Sequence, residues 1–208
     1  MSTSAAGHLV LHGISWSAYT QLTDLFADQR LRHAYDEGTL EMMAPLKKHD
    51  QGKKLLARFV ESLSLELSIP IQSIGSTTLK LADRSKGIEP DECYYIAHEA
   101  AVRDKSDYDS RRDPPPDLAI EVDITSASVD RLSVYAALGV PEIWRLNGEE
   151  LSFLLLTSSL GTYEAVSHSR AFPFLPVSVV SEFLSKQGLI DETSIVRSFV
   201  EWVRRQAS

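Results

Sequence analysis

One short segment constrains the fold of this chain more than any other, because it predicts a buried strand, a helix and a second buried strand in succession. Residues 118–124 are apolar except for Glu121 and Asp123. An almost continuous apolar run of this length is typical of a strand that is covered on both faces. A helical pattern at 128–138 and a strand pattern at 142–146 follow. The segment therefore predicts a right-handed β-α-β crossover with parallel strands.

The rest of the sequence alternates short strands with amphipathic helices. Further strands are predicted at 31–35, 39–44, 71–74, 77–82, 91–97, 151–157 and 162–166. Further helices are predicted at 16–28, 49–67, 177–186 and 194–205. A tight turn at 36–38 makes the first two strands a hairpin, and the charged, proline-rich stretch 104–116 predicts a loop. The pattern predicts an α/β fold, with a mixed β-sheet and helices on both of its faces.

Length and composition set further bounds. The chain has 208 residues, of which 43% are apolar, so we expect a single domain over residues 1–208. Cys93 is the only cysteine, which excludes an internal disulfide and disfavours a cysteine-based zinc site. We expect it to be a small buried apolar residue. No apolar run is long enough to cross a bilayer, and no signal peptide is evident, so we expect a cytoplasmic protein without membrane contact.

Three acids stand where apolar residues would be expected. Glu121 lies inside the apolar strand, where a carboxylate is costly unless it is paired or binds a metal. Asp91 follows Pro90 at the start of a predicted strand, and Glu41 lies inside the apolar second strand of the hairpin. If the strands bring these acids together, they form an oxygen-only site suited to Mg²⁺ or Mn²⁺. A turn feature at Asp91 and a solvated edge-strand glutamate at Glu41 remain the alternatives.

Other signals are weaker. Asp117 and Asp123 share a strand face with Glu121, but both lie near the strand ends, where water can solvate them. His49 begins the longest predicted helix and either has a role in the site or is a solvated or capping residue. The net charge of −8 disfavours non-specific DNA affinity, although a local basic patch would matter more than the sum. A phosphate-binding glycine loop, a nucleophile elbow and a His-Glu-x-x-His motif are all missing from the sequence.

With these residues in place, the chain resembles the Uma2-type (DUF820) family of the PD-(D/E)xK restriction-endonuclease-like superfamily. The matching segments, in family order, are 35–45, His49, 87–91, 116–122 and 135–144. The resemblance covers about residues 10 to 185 and leaves residues 190–208 as a C-terminal helix outside it. It implies a restriction-endonuclease-like fold, which is a mixed β-sheet with flanking helices and an N-terminal hairpin.

The resemblance also implies roles for the acids. Asp91 would be the Pro-Asp aspartate and Glu121 the acid of the second half-motif, both holding a divalent metal, with Glu41 as an accessory acid. The superfamily lysine normally stands two residues after the second acid, where this chain has Asp123. In this family the basic residue is expected in the following helix, one turn before Tyr135, and that residue here is Arg131.

The arginine matters chemically, because a lysine can lose its proton when desolvated and an arginine effectively cannot. Arg131 would orient water or stabilise phosphoryl charge, but it would not act as the general base. Lys80 is the substitute lysine to consider first, against the alternative that it is a solvated strand residue. Otherwise the reaction relies on metal-bound hydroxide, or the protein is a degraded enzyme.

These expectations lead to three hypotheses. The first is a Mg²⁺-dependent endonuclease that hydrolyses DNA phosphodiester bonds, with a homodimer plausible because two strands are cut. The second is a catalytically degraded nuclease fold that binds nucleic acid or protein. The third is a Mg²⁺ hydrolase of small phosphorylated molecules, such as nucleotides, which suits the acidic chain but has no motif in its support.

Overall fold

A computed structural model of the chain describes residues 7–29, 31–44, 47–105, 108–109, 112–123, 128–157 and 161–207, without the side chains of 47–49 and 207. Within these ranges the helices are α1 (Trp16–Leu25), α2 (Lys47–Leu67), α3 (Glu99–Val102), α4 (Arg131–Leu138), α5 (Val177–Leu184) and α6 (Glu192–Ala207). The strands are β1 (His8–Leu11), β2 (Arg32–Asp36), β3 (Thr39–Met43), β4 (Gln72–Gly75), β5 (Leu79–Leu81), β6 (Lys86–Ile88), β7 (Glu92–Tyr95), β8 (Leu118–Asp123), β9 (Glu142–Asn147), β10 (Glu150–Thr157) and β11 (Thr162–Val166).

The larger sheet has six strands in the order β11-β10-β9-β8-β7-β4. It is mixed, because β8 and β9 run parallel while the other neighbours are antiparallel. Helix α4 connects β8 to β9, as the crossover pattern predicts. The helix ends at Gly139, whose φ of 80° is the left-handed conformation that glycine adopts readily at a helix terminus. The α/β fold class and the mixed sheet are confirmed.

The other five strands form a second, smaller sheet. It has five antiparallel strands in the order β1-β3-β2-β6-β5 and contains the predicted hairpin β2–β3. Strands β1 and β6 were not predicted from the sequence. The predicted strand at 77–82 is shorter, because Leu79–Leu81 is followed by a turn of 3-10 helix at Ala82–Arg84.

The outer face of the six-stranded sheet packs against α2, α5 and α6. On β8, Ile120 and Val122 point into this core, where they meet apolar residues of α2 such as Phe59. Phe199 of α6 lies against Phe59 with ring centroids 4.4 Å apart. The apolar face of the C-terminal helix is therefore used for packing within the chain.

The inner face of this sheet looks towards the five-stranded sheet, and α4 lies between them. One buried cluster contains residues of both sheets and of α4: Ala119 and Ile143 of the larger sheet, Ala34 and Ile88 of the smaller one, and Val134 of α4. Because side chains alternate along a strand, Glu121 projects from β8 on this same inner face. The site therefore forms where the two sheets and α4 meet.

Helix α1 covers the far side of the five-stranded sheet. Tyr19 is fully buried there and stacks on Tyr35 of β2 with ring centroids 4.4 Å apart. Gly87 of β6 lies directly beneath Tyr19, and a Cβ on Gly87 would stand 2.8 Å from the Cζ atom of that ring. The close approach of helix and sheet thus depends on the absence of a side chain at Gly87.

Candidate active site

Three buried acids from different parts of the fold occupy the space between the sheets. Glu41 comes from β3, Glu121 from β8, and Asp91 from the passage that leads out of β6 into β7. Their exposed fractions are 0%, 2% and 1%. Pro90 directs the chain from one sheet to the other immediately before Asp91. The structure brings together the three acids that the sequence singles out.

Glu121 is held by two residues of α4 that lie four positions apart and so share one helix face. Arg131 donates a hydrogen bond from Nη1 to Glu121 Oε1 in a buried ion pair. The hydroxyl of Tyr135 donates to Glu121 Oε2 at 2.6 Å. Both carboxylate oxygens are therefore engaged, and the side chains that engage them are almost entirely shielded from solvent.

The carboxylate of Glu41 has hydrogen-bond partners on only one of its two oxygens. Its Oε1 lies 2.6 Å from Nε2 of His8 and accepts a hydrogen bond from the backbone N–H of Ser128 at 2.8 Å. Its Oε2 is buried without a hydrogen-bond partner and lies 3.8 Å from Nε of Arg131, which also lacks one. A buried oxygen and a buried N–H in this state point to a polar group that completes the site.

Asp91 is tied to both sheets. Its Oδ2 accepts the backbone N–H of Val122 at 2.8 Å, which places its carboxylate beside the Glu121 segment of β8. Its Oδ1 lies 3.4 Å from Nε of Arg32, on β2. In the described part of the chain four buried side-chain nitrogen or oxygen atoms lack a hydrogen-bond partner, and Nε of Arg32 is the third of them in this site.

Arg32 is a site residue that the sequence analysis missed. Its Nη1 donates to Glu89, whose other oxygen lies 3.3 Å from Nδ1 of His33. The Nε2 atom of His33 in turn lies 3.1 Å from the Tyr19 hydroxyl. A polar chain thus runs from α1 to Asp91. The only local signal was an arginine at the start of a hairpin strand, which is common on exposed strands as well.

The electrostatics of the site follow from its burial. Burial, reinforced by the negative charge of Asp91, raises the pKa of Glu121 to about 7 even though Arg131 opposes the shift. Burial alone would lower the pKa of Arg131, but Glu121 and the neighbouring acids hold it above its ordinary value. Burial and the Glu121 charge likewise raise the pKa of Tyr135. Arg131 therefore stays charged, and Tyr135 stays a hydrogen-bond donor.

The other acids on the β8 face have different partners. Asp123 accepts a hydrogen bond from Nε of Arg145 at 2.6 Å. Asp117, at the opposite end of the strand, accepts the backbone N–H groups of Ile96 and His98 at 2.7 and 2.9 Å. Asp117 thus stabilises the turn that follows β7, at the opposite end of β8 from Asp123. Both acids therefore lie at an end of β8 and are paired there.

The two remaining candidates give less support. Lys80 donates to the Thr23 hydroxyl at 2.8 Å and lies 3.7 Å from Asp24, so its described contacts are with α1. No described contact joins Lys80 to the three acids, and the proposal of a substitute lysine gains nothing from its position. The backbone of His49 belongs to α2, but its side chain lies outside the described residues.

The acids fit a divalent cation by donor chemistry. Carboxylate oxygens suit Mg²⁺ or Mn²⁺, and Oε2 of Glu41 is a buried acceptor with no hydrogen bond. In this structure, however, Oε1 of Glu121 accepts a hydrogen bond from Arg131. Among the described residues no group of three or more histidine, cysteine or acidic side chains is arranged to hold a metal ion. The donor types therefore suit a divalent cation, but both oxygens of Glu121 are already engaged, by Arg131 and Tyr135.

Comparison with known protein families decides the relationship. The model of the Uma2 family, described as "Putative restriction endonuclease", matches residues 16–187. The chain belongs to the Uma2 family. The match includes Glu41, Asp91, Glu121 and Arg131, so the candidate site lies within the family region. Restriction-endonuclease-like proteins such as these Uma2 proteins generally depend on a divalent metal.

A solved structure shares the Uma2 fold seen here. It is a crystal structure from Anabaena variabilis ATCC 29413, described as "a putative nuclease belonging to DUF820". The likeness has a TM-score of 0.51 at 12% sequence identity, and it covers 81% of this chain and 90% of the other. At that identity it supports the fold alone. No curated protein matches the chain, and no described helix is long and apolar enough to span a membrane.

Proposed function

We propose that this Uma2 protein hydrolyses DNA phosphodiester bonds at the Glu41–Asp91–Glu121 site, with Mg²⁺ or Mn²⁺ as cofactor. One observation carries the proposal: three buried carboxylates meet a buried arginine between the two sheets. Burying so many charges is expensive, and Oε2 of Glu41, Nε of Arg131 and Nε of the neighbouring Arg32 still lack hydrogen bonds. A purely structural cluster would be expected to pair all of its buried polar atoms.

The acids would hold the cation, with Asp91 and Glu121 as the principal ligands and Glu41 as the accessory one. The bound ion would polarise the phosphate and lower the pKa of an attacking water. Tyr135 keeps Glu121 in place through a 2.6 Å hydrogen bond. The backbone N–H of Val122 does the same for Asp91, so Asp91 is held beside the segment of β8 that carries Glu121.

Arg131 supplies positive charge but not a base. An arginine effectively keeps its proton, and the surrounding acids strengthen that tendency. We infer that Arg131 stabilises the negative charge that develops on the phosphoryl group, as guanidinium groups do in phosphoryl transfer. Asp123 stands where the superfamily lysine is expected and pairs with Arg145, so this chain has no amine at that position.

A second candidate function is a nuclease fold that binds nucleic acid or protein without cleaving it. The observation that favours it is the Arg131–Glu121 ion pair, which leaves Glu121 without a free oxygen. The net charge of −8 also favours it over a DNA-cleaving enzyme. Metal and DNA binding without any turnover would identify this function.

The decisive experiment is a plasmid-nicking assay with purified protein in Mg²⁺ and in Mn²⁺. We expect the wild type to cleave and Asp91→Asn or Glu121→Gln to be slower by about a hundredfold or more, because each loses a metal ligand worth several kcal/mol. Asp123→Asn is the matched control, since it neutralises an acid of the same strand face that pairs elsewhere. Cleavage that persists unchanged in Asp91→Asn would reject the proposal.

A homodimer and a cytoplasmic location remain proposals. Trp144 is fully buried in the core and so offers no surface to a second copy. The apolar face of α6 is also used internally, through Phe199 and Val203. These surfaces therefore give a dimer no support, and sedimentation of the protein with and without duplex DNA will establish its state.

A further inference from the structure

The ion pair between Arg131 and Glu121 occupies the position that a metal ligand needs. Oε1 of Glu121 accepts from Arg131 and Oε2 accepts from Tyr135. A cation that binds Glu121 must therefore take over an oxygen from one of these two donors. The contacts of Arg131 and Tyr135 indicate which of them releases its oxygen.

Arg131 is the less completely held of the two. Its Nε has no hydrogen-bond partner, although Oε2 of Glu41 is 3.8 Å away. Its Nη2 has a contact of 3.7 Å to the sulfur of Met43, which is a weak acceptor. Arg131 is also the first residue of α4, where the helix dipole disfavours a cation. Tyr135 lies a full turn further into the helix and is completely buried.

We propose that Arg131 is a latch on the metal site: it competes with the divalent cation for Oε1 of Glu121 and releases that oxygen when a substrate phosphate draws its guanidinium away. This inference rests on the proposed nuclease function and adds its regulation. Each partner then helps the other, since phosphate binding frees the metal ligand and metal binding frees the guanidinium. By thermodynamic reciprocity, DNA must tighten metal binding by the same factor as metal tightens DNA binding.

The first test measures Mn²⁺ affinity without DNA, by EPR of the free ion. Arg131→Gln removes the competitor and is expected to bind Mn²⁺ about tenfold more tightly than the wild type. Arg145→Gln is the matched control, because it removes an equal charge from the 2.6 Å pair with Asp123 and leaves Glu121 untouched. Its affinity should stay within about twofold of the wild type, as expected for a partly exposed charge.

The second test repeats the titration with a short phosphorothioate duplex. DNA should tighten Mn²⁺ binding of the wild type by about tenfold and that of Arg131→Gln very little, because the latter has no latch to open. An Arg131→Gln affinity equal to or weaker than that of the wild type overturns the latch. Circular dichroism checks the fold, and Arg131→Met, which keeps the apolar stem, serves as the second variant if Arg131→Gln is unstable.

The two proposals can fail separately. If Arg131→Gln binds Mn²⁺ more tightly and DNA tightens Mn²⁺ binding of the wild type, but the wild type does not cleave DNA, the latch stands and the nuclease function fails. If the wild type cleaves DNA but Arg131→Gln binds Mn²⁺ no better than the wild type, the nuclease function stands and the latch fails.

Discussion

At the scale of single residues, the acids of the site were accessible to sequence reasoning and most of their partners were not. A carboxylate inside an apolar strand is costly in any fold, so Glu121 could be singled out from its neighbours alone. Its partner Tyr135 was marked only by the family resemblance, and Arg32 had no such mark. Arg32 reaches Asp91 across a gap of fifty-nine residues, which no local pattern encodes.

Tyr135 offers a prediction about stability. Tyr135→Phe leaves Oε2 of the buried Glu121 without its donor and should lower the free energy of unfolding by about 1–3 kcal/mol. Tyr163→Phe is the control, since its hydroxyl donates at 2.6 Å to the neutral carbonyl of Val140. We expect a loss of about 1 kcal/mol there. Urea denaturation measures both, and equal losses would contradict a special role for the charged acceptor.

At the scale of secondary-structure elements, long periodic segments were predicted well and short ones were not. The apolar period of α2 and the uninterrupted β8 are strong signals, because many residues repeat the same pattern. Strand β6 has three residues, one of them a glycine, and so has no pattern to read. Its pairing with β2 and β5 depends on distant partners. The sequence therefore does not predict the second sheet as a separate unit.

Gly87 allows the packing of α1 on this sheet to be tested. Gly87→Ala would drive a Cβ into the Tyr19 ring and should destabilise the protein by about 1–3 kcal/mol through overpacking. Gly52→Ala in α2 is the control, because its new Cβ meets only side-chain ends, Cδ2 of Leu146 at 3.0 Å and Cγ1 of Val122 at 3.8 Å, and because alanine has the higher helix propensity. Thermal unfolding of the two variants gives the comparison. A neutral Gly87→Ala would mean that α1 packs less closely than described.

At the scale of the whole molecule, the prediction of one domain means that the chain should unfold in a single cooperative transition. One buried cluster contains residues from both sheets and from α4, so the sheets should unfold together. Length and composition supported this expectation from the sequence, but the shared cluster could not be foreseen, because it depends on contacts between segments that lie far apart in the chain.

Cys93 provides the probe. It is fully buried in β7, and burial raises the pKa of its thiol well above the ordinary value, so the reactive thiolate is suppressed. We expect no reaction with iodoacetamide at pH 8 in the native protein. Labelling in low urea should report the same free energy as global unfolding by circular dichroism. Labelling at a much lower free energy would show that part of the chain unfolds independently.

The origin of the three acids has a consequence for how the molecule responds to what it binds. Glu41 belongs to one sheet and Glu121 to the other, with Asp91 at the passage between them. An ion shared by these carboxylates would link the two sheets. Its binding free energy would add directly to the free energy of unfolding. Substitutions that loosen the interior around α4 would then weaken ligand binding without altering any acid.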